Sequence, residues 1–342
     1  MSGRLARGRA GEACVEKGHV AAVPPTRPFP SPFLVVGTAL LDVRARTNAR
    51  TPGARCRDGG VTLCAGGSGR NIAENLARLG AQVALLTVVG DDLAGSILVS
   101  ATSAAGVDVS GVVVREGLSS GFFVALTGQG GQVREAVVDT RARGALDAAC
   151  VRERAAGAIA GAGTVVAELA LMPETLAAVR DEAARTGAWI CFEAAACARR
   201  KDRLSQVAGA HLVKGNSWEL CGLTNAVGTG EARTFDALAR LLDRGARAAL
   251  ITLGAAGALL AAGGRRWRLR HAPQVAVDAA GAGDAFLAGF LDASSRGVCW
   301  ADALRAAGAA GRIALGTTQS SPPELRREAV ERLVGTMTVE EC

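Results

Sequence analysis

The chain has 342 residues, a formal net charge of +7 and 49% apolar residues, with aromatics at only 4% and no tyrosine. That length holds one large domain, or one domain with a small accessory part, and the apolar share is ample for a buried core. Residues 1–31 carry five basic and two acidic side chains, so +3 of the charge sits there; elsewhere the signs are interspersed without a basic run among aromatics, which excludes nucleic acid as an expected partner.

Nine cysteines form no C-x-x-C pair, and with three histidines (His19, His211 and His271) no zinc cluster can be composed, so free thiols are expected. No apolar run approaches the roughly 18 residues that span a bilayer, and no apolar segment follows the basic start, so no membrane partner is expected. A cytoplasmic protein is the expectation. Arg4, Arg7 and Arg9 leave mitochondrial import as the alternative, against which Glu12 and Glu16 count.

Residues 1–31, rich in Arg, Gly and Pro, read as a disordered leader. The fold then begins with a buried strand, Phe33-Leu34-Val35-Val36. Asp42 follows it, at the kind of strand end where open α/β sheets keep ligand-binding groups; an exposed turn residue is the plainer alternative. Residues 43–63 are polar, Gly- and Arg-rich, and too irregular for a core. In Gly66-Gly67-Ser68-Gly69-Arg70-Asn71 glycines precede a helix whose Ile72, Leu76 and Leu79 share one face, with Gly80 at its end. Glycine lets a ligand approach the backbone, and Asn71 offers a donor and an acceptor to a sugar hydroxyl. Val88-Val89-Gly90-Asp91-Asp92 reads as a strand and a turn. Residues 119–139 alternate as a hairpin, with Phe122, Val124 and Leu126 on one face and Gly128-Gln129-Gly130-Gly131 at the turn.

From residue 155 to 275 strands (164–167, 189–193, 211–214, 248–253) alternate with helices such as 173–185, which implies a mainly parallel sheet covered on both faces. Glu168 and Glu193 end two of these strands and point toward one crevice. Asn216-Ser217-Trp218-Glu219 has the spacing of a capped helix start. Thr252-Leu253-Gly254-Ala255-Ala256-Gly257 is a strand running into a glycine turn, and residues past 325 read as a mobile tail.

The strongest stretch is Asp278-Ala279-Ala280-Gly281-Ala282-Gly283-Asp284. It stands between a short apolar run, Val275-Ala276-Val277, and an apolar helix broken by one glycine, in the order strand, glycine turn, helix start. A helix N-terminus leaves about four N–H groups unpaired and carries roughly half a positive charge, a setting that suits phosphate. A carboxylate in that first turn repels a phosphate unless it has work to do. Accepting the proton of an attacking hydroxyl is such work for Asp284; capping an internal helix is the alternative. No Walker pattern occurs, and Phe286 stands where the third glycine of a dinucleotide fingerprint would fall.

Taken together these stretches resemble the PfkB, or ribokinase-like, sugar kinases. Gly66-Gly67-x-Gly69-x-Asn71, Asn216-x-x-Glu219, Thr252-x-Gly254-x-x-Gly257 and Asp278-x-x-Gly281-Ala282-Gly283-Asp284 match four motifs of that family in its order, between about residues 33 and 325. The resemblance implies a ribokinase-like three-layer α/β fold over residues 32–325. Its central sheet is mainly parallel, and a small β lid is built from parts of 43–63 and 119–139, although the hairpin pattern alone fits an ordinary core hairpin equally. An ATP- and Mg²⁺-dependent kinase is implied, with Asp284 as catalytic base and Gly281, Ala282 and Gly283 as the anion hole. Asp42, Gly66, Gly67 and Asn71 would hold the sugar, and Lys214, Asn216, Thr252, Gly254 and Gly257 the nucleotide. Asn216 and Glu219 would organise Mg²⁺ largely through water, and a homodimer through the lid is implied as well.

Three departures stand out. Many members of the family bind a monovalent cation such as K⁺ near the residue that is Asp278 here, but Ala279 follows where they carry Thr, so a hydroxyl is lost. Ser68 replaces a small apolar residue and would alter the substrate pocket. Ala194 follows Phe192-Glu193 where Pro is usual in the pseudouridine kinases, the members that the wording of residues 69–80 is most similar to. That similarity implies phosphorylation of a sugar or nucleoside at its ribosyl 5′-hydroxyl, with pseudouridine leading. Another ribose or nucleoside kinase, or a catalytically silent nucleotide- or sugar-binding relative, is the alternative.

Overall fold

Phe33–Val36 and Thr164–Glu168 are buried at every position, the mark of strands covered on both faces rather than one. In the computed structural model, which describes residues 29–47, 58–128, 133–198 and 200–342, they lie in a nine-stranded sheet. Its order is Met337–Glu341, Arg265–His271, Ala258–Ala262, Ala248–Thr252, Leu212–Asn216, Trp189–Glu193, Thr164–Glu168, Phe33–Val36 and Val83–Leu86. The strands from Val83–Leu86 to Ala248–Thr252 run parallel, and Ala258–Ala262, Arg265–His271 and Met337–Glu341 pair antiparallel. The expected mainly parallel sheet is present.

Helices cover both faces, which makes three layers. Ser68–Arg78, Ala282–Ser295 and Trp300–Ala314 put Ile72, Leu76, Phe290 and Leu304 into one apolar cluster; Pro173–Thr186, Ser217–Thr224 and Gly230–Asp243 put Leu176, Val179, Leu220 and Leu238 into the other. The glycine in the middle of Ala282–Ser295, Gly289, has a packing reason. A Cβ on Gly289 would come within 2.7 Å of the Ala310 Cβ, so the two helices meet nearly backbone to backbone.

A separate four-stranded sheet, in the order Gly59–Gly66, Leu40–Thr47, Gly121–Thr127 and Val133–Asp139, forms the small β lid. Its register puts Val61, Leu63, Val124, Leu126 and Val137 on one face, each 40% exposed or more. Asp42 and Arg44 lie on the other face.

Five sequence expectations are corrected here. Residues 43–63 are not irregular throughout: Leu40–Thr47 and Gly59–Gly66 pair residue for residue, because cross-strand partners rather than local propensity hold them. Residues 48–57 and 129–132, the latter including most of the expected hairpin turn, lie outside the described residues. Asp42 is neither a turn residue nor exposed; it is buried within Leu40–Thr47. The run 275–277 is no strand, since it has no strand beside it and Val275 is 93% exposed. The leader drawn as 1–31 is too long by its last residues. Phe29 is fully buried against Trp189, Phe290 and Trp300, while residues 1–28 lie outside the described residues. The tail is structured: Arg327–Val334 is a helix, and Met337–Glu341 pairs with Arg265–His271, tied by Arg265 to Glu341 at 2.6 Å. Its acidic ending suits a sheet edge, where charge prevents further pairing.

Candidate active site

The glycine turn at 278–281 leads straight into Ala282–Ser295, with Gly281 as N-cap at φ 76°. A Cβ there would strike the Ser320 carbonyl oxygen at 2.0 Å, so only glycine turns this corner. Asp284 follows in the first turn. Both of its oxygens accept side-chain donors rather than capping the helix: Ser68 Oγ at 2.7 Å and Asn71 Nδ2 at 2.9 Å, both from the start of Ser68–Arg78. The two glycine-led helix starts, more than two hundred residues apart in sequence, therefore meet at one carboxylate.

Lys214 lies beneath this turn. Its Nζ is 3.1 Å from Glu193 Oε1 and 3.0 Å from Oε2, with both side chains 3% exposed, and a Cβ on Gly283 would come within 3.0 Å of it. Burial pushes the Asp284 carboxyl above its ordinary range, while the Lys214 charge and the Ser68 and Asn71 hydrogen bonds hold it back. Burial likewise pushes Glu193 well up against the pull of Lys214. For Lys214 burial acts to lower the ammonium, but Glu193, Asp284 and Glu219 outweigh it and raise it. The result is a fixed cation next to the helix N-terminus, beside a carboxylate whose proton affinity is raised toward a useful range for a general base.

A cavity of about 420 Å³ opens over these groups, and Asn216, Glu219, Thr252, Gly254 and Gly257 line it together with Ala282, Gly283 and Asp284. Thr252 ends its strand, and the turn 254–257 closes on itself through Leu253 N–H to the Gly257 carbonyl at 2.8 Å. Gly257 needs its φ of 92°, since a Cβ would lie 1.9 Å from the Leu269 carbonyl oxygen. The cradle of N–H groups, the Lys214 ammonium and the adjoining cavity fit a nucleotide polyphosphate. Asn216 and Glu219 form a complete capping box: Asn216 Oδ1 accepts the Glu219 N–H and Glu219 Oε2 accepts the Asn216 N–H, each at 2.9 Å. Among the described residues no group of three His, Cys, Asp or Glu side chains is placed to hold a metal. Glu219 and Asn216 therefore fit Mg²⁺ only as a sparse, water-mediated set, the kind that ion accepts.

On the lid side Asp42 packs against Gly66 so closely that a Cβ there would lie 2.5 Å from its carboxylate, and Gly67 is pressed against the backbone of Thr38 and Ala39. Burial raises Asp42, opposed by Arg44. Glu168, expected in the crevice, is a framework residue instead. Its buried carboxylate accepts Thr38 N–H, Thr38 Oγ1 and Gly69 N–H, which pins the first strand's end to the start of Ser68–Arg78. Sequence reasoning missed Ser68 as a partner of Asp284, Glu193 as a partner of Lys214 and Arg44 altogether. A hydroxyl in a glycine-led helix start was the one available signal for the first.

Residues 33–326 match the pfkB family of carbohydrate kinases. The chain belongs to that family of ATP-dependent kinases and is a phosphotransferase acting on a hydroxyl group. It is similar to pseudouridine kinase of Escherichia coli (strain K12), 27% identical over 304 residues that cover 88% of this chain and 96% of that one. Among solved structures it resembles Arabidopsis thaliana ribokinase complexed with ribose and ATP, with a TM-score of 0.77 at 23% identity over 89% of this chain and 99% of that one. A candidate ribokinase II from E. coli in complex with ATP and Mg²⁺ gives 0.76 at 18% over the same shares. These two likenesses establish the ribokinase-like fold.

Proposed function

We propose that this kinase transfers the γ-phosphoryl group of ATP to the 5′-hydroxyl of a ribosyl acceptor, with pseudouridine the leading candidate. The observation that carries the reading is the Asp284 carboxylate, held by Ser68 and Asn71 beside Lys214 at a helix N-terminus. The acceptor hydroxyl gives its proton to Asp284 as its oxygen bonds to the γ-phosphorus, and the bond from that phosphorus to the leaving ADP oxygen breaks. The N–H groups of residues 281–283 and the Lys214 ammonium hold the charge that develops; one such donor contributes about 2.7–4 kcal/mol. Asp42, Gly66, Gly67 and Asn71 orient the sugar, and Lys214, Asn216, Thr252, Gly254 and Gly257 the nucleotide. Mg²⁺, when bound near Asn216 and Glu219, would neutralise phosphate charge. The lid excludes water from the transfer.

Pseudouridine is favoured over other acceptors by the similarity to the E. coli pseudouridine kinase along nearly the whole of both chains. The test is ATP consumption by the purified protein with Mg²⁺ and pseudouridine, uridine, adenosine, ribose or fructose 6-phosphate. Turnover with pseudouridine far above uridine is expected. Turnover only with another sugar would keep the chemistry and replace the acceptor, and nucleotide binding without any turnover would favour a silent relative. The uncovered apolar lid face supports a homodimer joined there. The seven cysteines among the described residues are free thiols, which favours a reducing, cytoplasmic setting.

A further inference from the structure

Arg44 stands two residues after Asp42 on the inner face of the lid strand Leu40–Thr47. One amino group of its guanidinium contacts Asp278 Oδ2, and the other lies 3.6 Å from Asp42 Oδ2. The Arg44 side chain is 15% exposed and that of Asp278 27%, so the pair is mostly shielded from solvent. It bridges the lid to the loop that turns into the phosphate-facing helix N-terminus.

The second oxygen of Asp278 is also taken, accepting the Ala280 N–H at 2.9 Å. Ala279 and Ala280 bring no hydroxyl to the turn. A K⁺ ion on this carboxylate would sit beside a guanidinium of its own sign, with neither carboxylate oxygen of Asp278 left for it alone. The residues present do not fit the monovalent cation that the family resemblance implies.

We propose that Arg44 replaces that cation from the lid. It neutralises Asp278, whose bare charge would repel phosphate at the neighbouring N–H groups, and it holds the loop whose backbone aims those groups. Arg44 is thus a positioning residue, acting through Asp278, and turnover by this chain does not depend on K⁺. The departure at Ala279 then has a physical partner: the hydroxyl is dispensable because no ion needs it.

The inference rests on the kinase reading of the site, so two readouts separate them: nucleotide affinity by calorimetry, which needs no acceptor, and kcat/KM with whichever acceptor turns over. Replacing K⁺ by tetramethylammonium at constant ionic strength is expected to change either by less than about twofold. Arg44→Ala is expected to lose about tenfold in kcat/KM, with part of the loss restored by low-millimolar guanidinium or by K⁺ and most of it by Arg44→Lys. A wild-type chain activated about tenfold or more by K⁺, an Arg44→Ala variant equal to wild type, or a loss that no cation and no lysine restores would each overturn the proposal. If no acceptor turns over, the proposed function fails while the affinity series still decides on the cation. Should Arg44→Ala not fold, Arg44→Gln and the wild-type cation series decide.

Discussion

The two sheets meet at the site on opposite terms. The nine-stranded sheet is sealed by helices on both faces, and its strand ends deliver Glu193 and Lys214, both buried, to the underside of the helix that carries Asp284. The four-stranded sheet is covered on one side only; it turns Asp42 and Arg44 inward and leaves a row of apolar side chains outside. Under the proposed function the difference separates two jobs. Carboxylates enclosed against the sealed sheet have their proton affinity shifted by burial and by a fixed cation, while the lid contributes charge by reaching across from a strand that needs no core of its own.

If the sealed side makes the chemistry, Asp284→Asn has the largest effect. Turnover is expected to fall by about 10²–10⁴-fold while nucleotide affinity measured by calorimetry stays nearly unchanged. Retained turnover would remove Asp284 as the base.

Next comes Lys214→Met, which strands a buried Glu193. Unfolding by urea should show a loss of about 3–5 kcal/mol, with turnover reduced about 10²-fold or more. Lys214→Met combined with Glu193→Gln should recover much of the stability and none of the turnover, because the pair's structural and phosphate-facing roles are separable.

A smaller effect is expected from Ser68→Ala, read from pH profiles. As the proposed base Asp284 must be ionised, and its proton affinity is already raised by burial, so kcat/KM is expected to fall as pH drops through that raised value. Ser68 donates to the ionised form and holds the value down; its removal raises it further, and the acid limb should move to higher pH. An unmoved limb would leave Ser68 a packing residue only.

The least effect on turnover is expected on the outer lid face. Val137→Glu should convert a dimer to a monomer in light scattering while turnover per chain stays within about twofold. A wild-type monomer would show that this face is covered by something else or by nothing.

Much of this architecture could be read from the chain. The buried runs at 33–36, 164–167 and 189–193, the helix starts after Gly67 and Gly281, and the glycine turn at 254–257 all lie where local patterning put them. Asn216-x-x-Glu219 is the capping box its spacing suggested, whatever else it does. Failures cluster at edges. Met337–Glu341 and Gly59–Gly66 carry too much charge or glycine to look like strands, and 275–277 looks like one without a neighbour to pair with.

What the residues determined by themselves is therefore local: which segments are buried, where glycine opens a helix start, and that Asp284 stands in such a turn. Tertiary structure alone decided that Ser68 and Asn71 hold Asp284, that Glu193 holds Lys214, and that Arg44 crosses 234 residues of sequence to neutralise Asp278. Backbone conformation is selected by side chains within a turn or two of each other. A contact between distant residues exists only after the intervening chain has closed, and no short pattern records which partner it will bring.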